Sequence, residues 1–514
     1  MGGDTPVVMI GLDAAEATLI ERWCADGTLP ALAALRRQGC FGRLNGEATI
    51  FAGAVWPTLY TGRRVAWHGI YHDEQWHHQK MRFEAVHDSW LSPTPFWELL
   101  DRGYRVAVVD APMTLRAAPS PNGIVVSGWG THDRVFSGTR PRNLAARLAR
   151  ECGRPVLSVP FVRPRTAAEF LAARDNLVAT TEQMAQLSRF LLGRRSWDVF
   201  CVVFGAPHRG GHHLWDLSQI EESGTASLGG ELERALEQVY RACDRAVAEV
   251  IDAAPVDARV LVFAAHGMGP NPGWNDRFDE ILSAIRGAGA DGRRARPRSA
   301  VRRELGNALS ARLPSAAARY LAQRRRTRSF DWNATRYFPL PMDHAGYVRI
   351  NLAGREPRGI VQSGAEYHAL CDELREALSA VRDIDTDEPI VERVYRIDDL
   401  APADAPYRNV LPDLVITWHA RSAIRSRGIY RRGYGARRWN GSVLPSLRSG
   451  NHRDDGWFIA IGRGIERGSQ AHGHHIVDLV PTLFAWLGAG GGQAFHGEPI
   501  AALCGQGPTI SERS

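Results

Sequence analysis

The sequence predicts an α/β fold: a doubly wound, mostly parallel sheet with helices on both faces. Three observations lead there. Short β-branched runs recur along the chain, several of them are apolar throughout, and most lead through a turn into a stretch of helical periodicity. Uniformly apolar strands are what a parallel sheet covered on both faces requires. Strand–helix alternation over 514 residues then implies an open sheet with right-handed crossovers.

In chain order the strands read as Val7–Leu12, Arg105–Val109, Ile124–Gly128, Val199–Gly205, Val260–Ala264, Tyr347–Asn351 and Leu414–Trp418. Helical patterns fall between them at Leu29–Arg37, Phe96–Asp101, Thr166–Leu192, Glu231–Asp252 and Tyr367–Val381. The whole chain, 1–514, reads as a single domain with insertions at 63–195 and 280–345 that are expected to cover the carboxyl ends of the strands. The first is rich in Trp, His and Pro. The second opens on an Arg-rich run and has no strand signal before Tyr347.

Composition narrows the function classes. A hydrophobic fraction of 44% and a charged fraction of 23% suit a globular protein with a large core. No run approaches the roughly 20 apolar residues of a membrane span. Pro6–Leu12 follows the start without a basic flank, so no secretory signal is expected. Seven scattered Cys without a C-x-x-C pair argue against a disulfide framework or a thiolate zinc site, and lead to the expectation of a cytoplasmic protein. The net charge of +7 is almost all Arg, because Lys80 is the only lysine. Thirteen Arg lie between Arg286 and Arg328, and six between Arg425 and Arg438 beside Tyr430, Tyr434 and Trp439. Such runs could bind nucleic acid or an acidic ligand, but a solvated insertion is the preferred reading, so a nucleic-acid partner is not expected. There is no Walker-type or strand-linked G-x-G-x-x-G loop.

Doubly wound sheets collect chemistry beyond the carboxyl ends of their strands. Asp13 ends the first strand, placed to hold a metal or to cap a helix. His208 and His212 follow Val199–Gly205, four residues apart, in a stretch whose two glycines would let a loop fold tightly around a cation. His266 follows Arg259–Ala264, and His452 lies in Ser449–Arg453, ahead of the apolar Gly456–Ile461. His472, His474 and His475 read as helix-start or surface residues.

The order of these pieces resembles the alkaline phosphatase superfamily, in particular its type I phosphodiesterase/nucleotide pyrophosphatase branch. The resemblance rests on Val8–Asp13, Leu29–Leu32, Trp56–Gly62, His68–Tyr71, His266–Pro270, Ile350–Gly359, Leu411–Val415 and Asp478–Leu483. It implies two metal sites. The first maps onto His208, His212 and His452, with His208 where the family usually has Asp. The second keeps Asp13 and His266, but Ala265 stands in place of a carboxylate and Ala52 in place of the attacking Ser or Thr. Thr49 or Thr58 could take over that role. The expectation is therefore one tightly held divalent transition metal, zinc first and iron or manganese after it, with a second ion weak or absent.

The function expected on this basis is a metal-dependent hydrolase or group-transfer enzyme for a small anionic phosphorus or sulfur ester. Metal-bound water would attack, with Asp13 or His266 as catalytic base. Arg209, Thr58 and the His72–His78 segment would contact substrate. Two alternatives stand beside it: a scaffold redirected to another metal-assisted reaction, and a ligand-binding pseudoenzyme.

Overall fold

A computed structural model describes the chain except residues 1–4, 101–102, 118–121, 131–134, 136, 157–165, 217–228, 286–325, 329, 422, 425, 440–443, 445, 491–493 and 506–514. Most of the Arg-rich run between Arg286 and Arg328 thus lies outside the described residues, as does Arg425. The chain forms two compact units. The first comprises Met1–Ile70, His87–Gly273 and Val443–Ser514; the second comprises Tyr71–Val86 and Trp274–Ser442.

The first unit is built on a nine-stranded sheet. From one edge to the other its strands are Gln470–His475, Cys40–Asn45, Gly456–Ile461, Arg259–Ala264, Val7–Leu12, Val199–Phe204, Val106–Val109, Ile124–Ser127 and Gly138–Arg140. The five strands from Arg259–Ala264 to Ile124–Ser127 run parallel. Gly456–Ile461 and Gly138–Arg140 pair antiparallel with their neighbours. Every residue of Val7–Leu12 and Val199–Phe204 is buried. Successive side chains point to opposite faces, so both faces of the sheet are covered there. Val8, Ile10, Phe200, Val202, Val262 and Ile459 share one core with Val239, Tyr240 and Val247 of helix Ala235–Asp252.

Helix Ala167–Leu192 begins at a reciprocal cap: Thr166 Oγ1 accepts from Glu169 N (3.3 Å), and Glu169 Oε2 accepts from Thr166 N (3.1 Å). Among the described residues no helix is long and apolar enough to cross a membrane.

Several sequence expectations need correction. Tyr347–Asn351 and Leu414–Trp418 are strands, but not of the large sheet. They appear as Gly346–Ile350 and Leu414–Trp418, paired antiparallel in a four-stranded sheet of the second unit. A short, fully buried apolar run does not encode its partner or its direction. The 280–345 segment contains the strand Tyr337–Pro339, which pairs with Gly346–Ile350. The expected helix Glu231–Asp252 is divided into Gly229–Glu233 and Ala235–Asp252. The histidine stretch after Val199–Phe204 is helix and not loop.

Candidate metal centre

Three neighbouring parallel strands, Arg259–Ala264, Val7–Leu12 and Val199–Phe204, end on the same side of the sheet. Just beyond those ends lie His266, Asp13 and His208. Helix Ala206–Leu214 starts at once after its strand because Pro207, in the first turn, has a φ already set for a helix. Inside this helix the four-residue spacing puts His208 and His212 on one face.

The third histidine arrives from far along the chain. Gly450–Arg453 pairs antiparallel with Gly267–Pro270, and His452 is opposite Met268. The residue just before that strand ties it to the histidine helix: Ser449 N donates to His212 O at 2.7 Å. One ligand atom from each of His208, His212 and His452 can be chosen so that all lie within 4.8 Å of one another. Ring centres are 4.7 Å apart for His208–His212, 5.0 Å for His208–His452 and 4.9 Å for His212–His452.

The hydrogen-bond pattern selects tautomers. His212 Nδ1 is 2.9 Å from the Gly450 carbonyl oxygen, an acceptor, so Nδ1 carries the hydrogen and Nε2 keeps its lone pair. His208 Nδ1 lies at ion-pair distance, 3.1 Å, from Asp13 Oδ2, and the carboxylate's charge favours a hydrogen on Nδ1 and the lone pair on Nε2. The two Nε2 atoms face each other at 3.0 Å. Two bare lone pairs at that range repel unless a proton or cation lies between them. Donor atoms of a tetrahedral zinc site are about 3.3 Å apart. The residues therefore fit one divalent transition metal. Burial, with Arg448 and the two neighbouring histidines adding to it, holds the His212 pKa well below the usual range and keeps the ring neutral.

Asp13 is buried, and burial alone would raise its pKa. The charges of His208 and His266 and the hydrogen bonds from His208 and Trp56 outweigh that and bring it to about 2. Its second oxygen, Oδ1, accepts from Trp56 Nε1 at 2.9 Å. Asp13 does not cap the next helix; Glu16 does, accepting from Thr18 N at 3.3 Å. His266 is adjacent to the trio, with ring centres 4.9 Å from His452 and 6.2 Å from His208. Both of its ring nitrogens are buried without a hydrogen-bond partner among the described residues, and burial lowers its pKa to about 4.

The other candidates are placed as follows. Ala52 begins a short 3-10 turn and presents no hydroxyl. Thr49 N and Oγ1 both donate to Asp454, at 2.8 and 2.5 Å. Thr58 is buried, its hydroxyl 2.9 Å from His68 Nε2. His68 Nδ1 accepts from Ile70 N, so Nε2 is the donor in that pair. Arg209 follows His208 on the helix and is buried, which lowers its pKa to about 10 and leaves it cationic at neutral pH. His72 belongs to the second unit, where Asp73 and Asp343 flank it. His475 accepts from Val477 N at the start of a 3-10 turn, the helix-start role expected of its segment.

Three residues that shape the site carried no role in the sequence reading. Trp56 was visible only inside a motif. Gly450 supplies the carbonyl that orients His212. Glu16 Oε2 accepts from Met268 N at 3.0 Å and holds the strand that follows His266. A buried carboxylate three residues after Asp13 was the one available signal.

The fold class is thus α/β, with a histidine cluster at the carboxyl ends of central parallel strands. The chain belongs to the type I phosphodiesterase / nucleotide pyrophosphatase family, whose model matches residues 7–442. A search of curated proteins finds no match. Among solved structures the chain is similar to phosphonoacetate hydrolase from Sinorhizobium meliloti 1021 in complex with phosphonoformate, at 14% identity over 95% of this chain and 96% of that one, TM-score 0.52. The same hydrolase with phosphonoacetate gives 16% identity, coverage of 95% and 96%, and a TM-score of 0.51. Human ectonucleotide pyrophosphatase / phosphodiesterase 5 gives 12%, 96%, 97% and 0.48. At these identities the likeness concerns the fold.

Proposed function

We propose that the protein is a metal-dependent hydrolase of small anionic phosphorus esters, with sulfur esters as the second substrate class. The observation that carries this reading is the meeting of His208, His212 and His452 within 4.8 Å, in a chain whose family is one of phosphodiesterases and nucleotide pyrophosphatases. A divalent ion, zinc by preference for this donor set, supplies Lewis acidity to a phosphoryl oxygen and acidifies water. The chain's residues do the rest. His208, His212 and His452 bind the ion. Ala52 cannot form a covalent phosphoenzyme, and the hydroxyls of Thr49 and Thr58 are committed to Asp454 and His68, which favours direct attack by water. His266, whose ring nitrogens have no hydrogen-bond partner among the described residues, orients water or substrate, and Arg209, the next residue after His208 on the histidine helix, contacts the substrate anion. A cytoplasmic location is part of the reading, supported by seven unpaired cysteines.

The test pairs metal analysis with activity. Purified protein should contain about one equivalent of metal, and His212→Ala should lose metal and hydrolysis of p-nitrophenyl phosphate, bis-p-nitrophenyl phosphate or p-nitrophenyl sulfate together. Retained activity in that variant would refute the reading. Ala52 favours one alternative, a scaffold redirected to another metal-assisted reaction; full metal occupancy with inactivity on all three esters would support it.

A further inference from the structure

Asp13 is where this chain departs from a two-ion arrangement. Trp56 Nε1 donates to Oδ1 at 2.9 Å, and His208 Nδ1 is 3.1 Å from Oδ2. Each carboxylate oxygen keeps a further lone pair, but Oδ1 already accepts from Trp56 Nε1 and the His208 ring lies against Oδ2, so a cation approaching the carboxylate would face both groups. The other donors to a second ion are missing. Ala265 and Ala52 offer none, which leaves one imidazole, His266, and one carboxylate already engaged. A transition ion of this kind takes about four ligands. These residues do not fit a second ion.

They do fit another task. An imidazole that binds a metal through one nitrogen commonly donates its other N–H to a carboxylate, which fixes tautomer and ring orientation and makes the metal-facing nitrogen more basic. Asp13 stands at ion-pair distance from His208 Nδ1, where that relation can form, and Trp56 holds the carboxylate through its other oxygen. A histidine at position 208 is what makes the relation available; a carboxylate there would repel Asp13.

We infer that Asp13 is a positioning residue for His208 in a single-cation centre, held by Trp56, and not a ligand of a second cation. The inference rests on the metal-dependent reading above. The experiment is zinc titration of chelator-stripped full-length protein with bound zinc counted by equilibrium dialysis, on wild type and Asp13→Asn, followed by cobalt(II) spectroscopy of both. Wild type should bind one equivalent. Asp13→Asn should still bind one, roughly 10- to 100-fold more weakly, with shifted cobalt ligand-field bands and an unchanged far-ultraviolet circular dichroism spectrum. Two equivalents in wild type falling to one in Asp13→Asn would overturn the inference while leaving metal dependence standing, and unaltered affinity with unaltered bands would overturn the positioning role. No binding by wild type would instead sink the metal-dependent reading, and the inference with it. Should Asp13→Asn fail to fold, wild type alone decides: a cobalt paramagnetic resonance signal that saturates at one equivalent supports the inference, and spin coupling at a second equivalent refutes it.

Discussion

Gly450 offers the sharpest check on how the centre is assembled. A Cβ built there would be 2.1 Å from the Gly211 carbonyl oxygen and 3.0 Å from both Gly211 C and Trp215 Cβ. The nearest atom is helix backbone, so no rotamer change relieves the clash; the strand and the histidine helix must separate by on the order of 1 Å. Overpacking of this kind costs about 1–3 kcal/mol, and a backbone contact belongs at the upper end. The same movement takes the Gly450 carbonyl off His212 Nδ1, now 2.9 Å away, and loss of such an orienting partner costs about 10- to 100-fold in metal affinity. Gly450→Ala should therefore lower both the urea midpoint of the metal-free protein and the zinc affinity measured against a chromophoric chelator. Gly211→Ala is the control. Its Cβ would meet Met268 Cγ at 2.7 Å and Cε at 3.1 Å, atoms of an adaptable side chain, while alanine gains up to about 1 kcal/mol in a helix. The control should stay within about 1 kcal/mol of wild type. A Gly450→Ala protein with unchanged midpoint and unchanged affinity would refute the close approach of strand and helix, and with it the account of how His452 reaches the other two histidines.

Two further outcomes concern the second unit. Burial opposes the charged form of His72, but Asp343, Asp73 and Glu74 outweigh it and raise its pKa to about 9; a group raised above its unfolded value of about 6.5 stabilises fully below that value and loses the contribution as pH rises through about 9. The His72 ring resonances should titrate near pH 9, and stability lost between pH 6.5 and 9 should be smaller in Asp343→Asn; a midpoint below 7 would contradict this. Arg349 and Glu356 form a fully buried ion pair, with Arg349 Nε donating to Glu356 Oε1 at 2.9 Å, so Glu356→Leu leaves a buried guanidinium uncompensated and should cost about 3–5 kcal/mol in urea unfolding, whereas a cost under 1 kcal/mol would show the pair to be dispensable.

Some of this was legible in the residues alone. Val7–Leu12 and Leu414–Trp418 form as read, because β-branched apolar runs that short have few other ways to be buried. The long helix from 167 to 192 was marked by Thr166 and Glu169 at capping spacing. Other features depend on contacts made across the fold. Gly210 and Gly211 argue for a loop at roughly 1 kcal/mol each, yet packing keeps that stretch helical, with Gly210 facing Leu236 and Val239 and Gly211 facing Met268. The union of His208 and His212 with His452, 240 residues later, could be expected only from family resemblance. Nothing local to Trp56 says that its indole N–H will find Asp13, since a buried tryptophan satisfies its donor wherever the fold provides an acceptor.

Ala52, His208 and Ala265, where the family resemblance implies a nucleophile and two carboxylates, belong to one reading of the centre. Two dications about 4 Å apart repel by about 16 kcal/mol at an effective dielectric constant near 20, and each carboxylate at a similar distance from both returns about as much. Remove two of three carboxylates and the second ion has neither the ligands nor the neutralising charge to stay. Once it is absent, a hydroxyl nucleophile activated by it has nothing to activate it, and Ala52 costs the site little. Asp13 would then be a buried carboxylate without a cation to face, an expensive group to retain. His208 and Trp56 resolve that by supplying its two partners. On this view Asp13 orients the imidazole that binds the ion, and His208→Asp, which sets two carboxylates against each other, should hold its cation less well than wild type in a zinc titration.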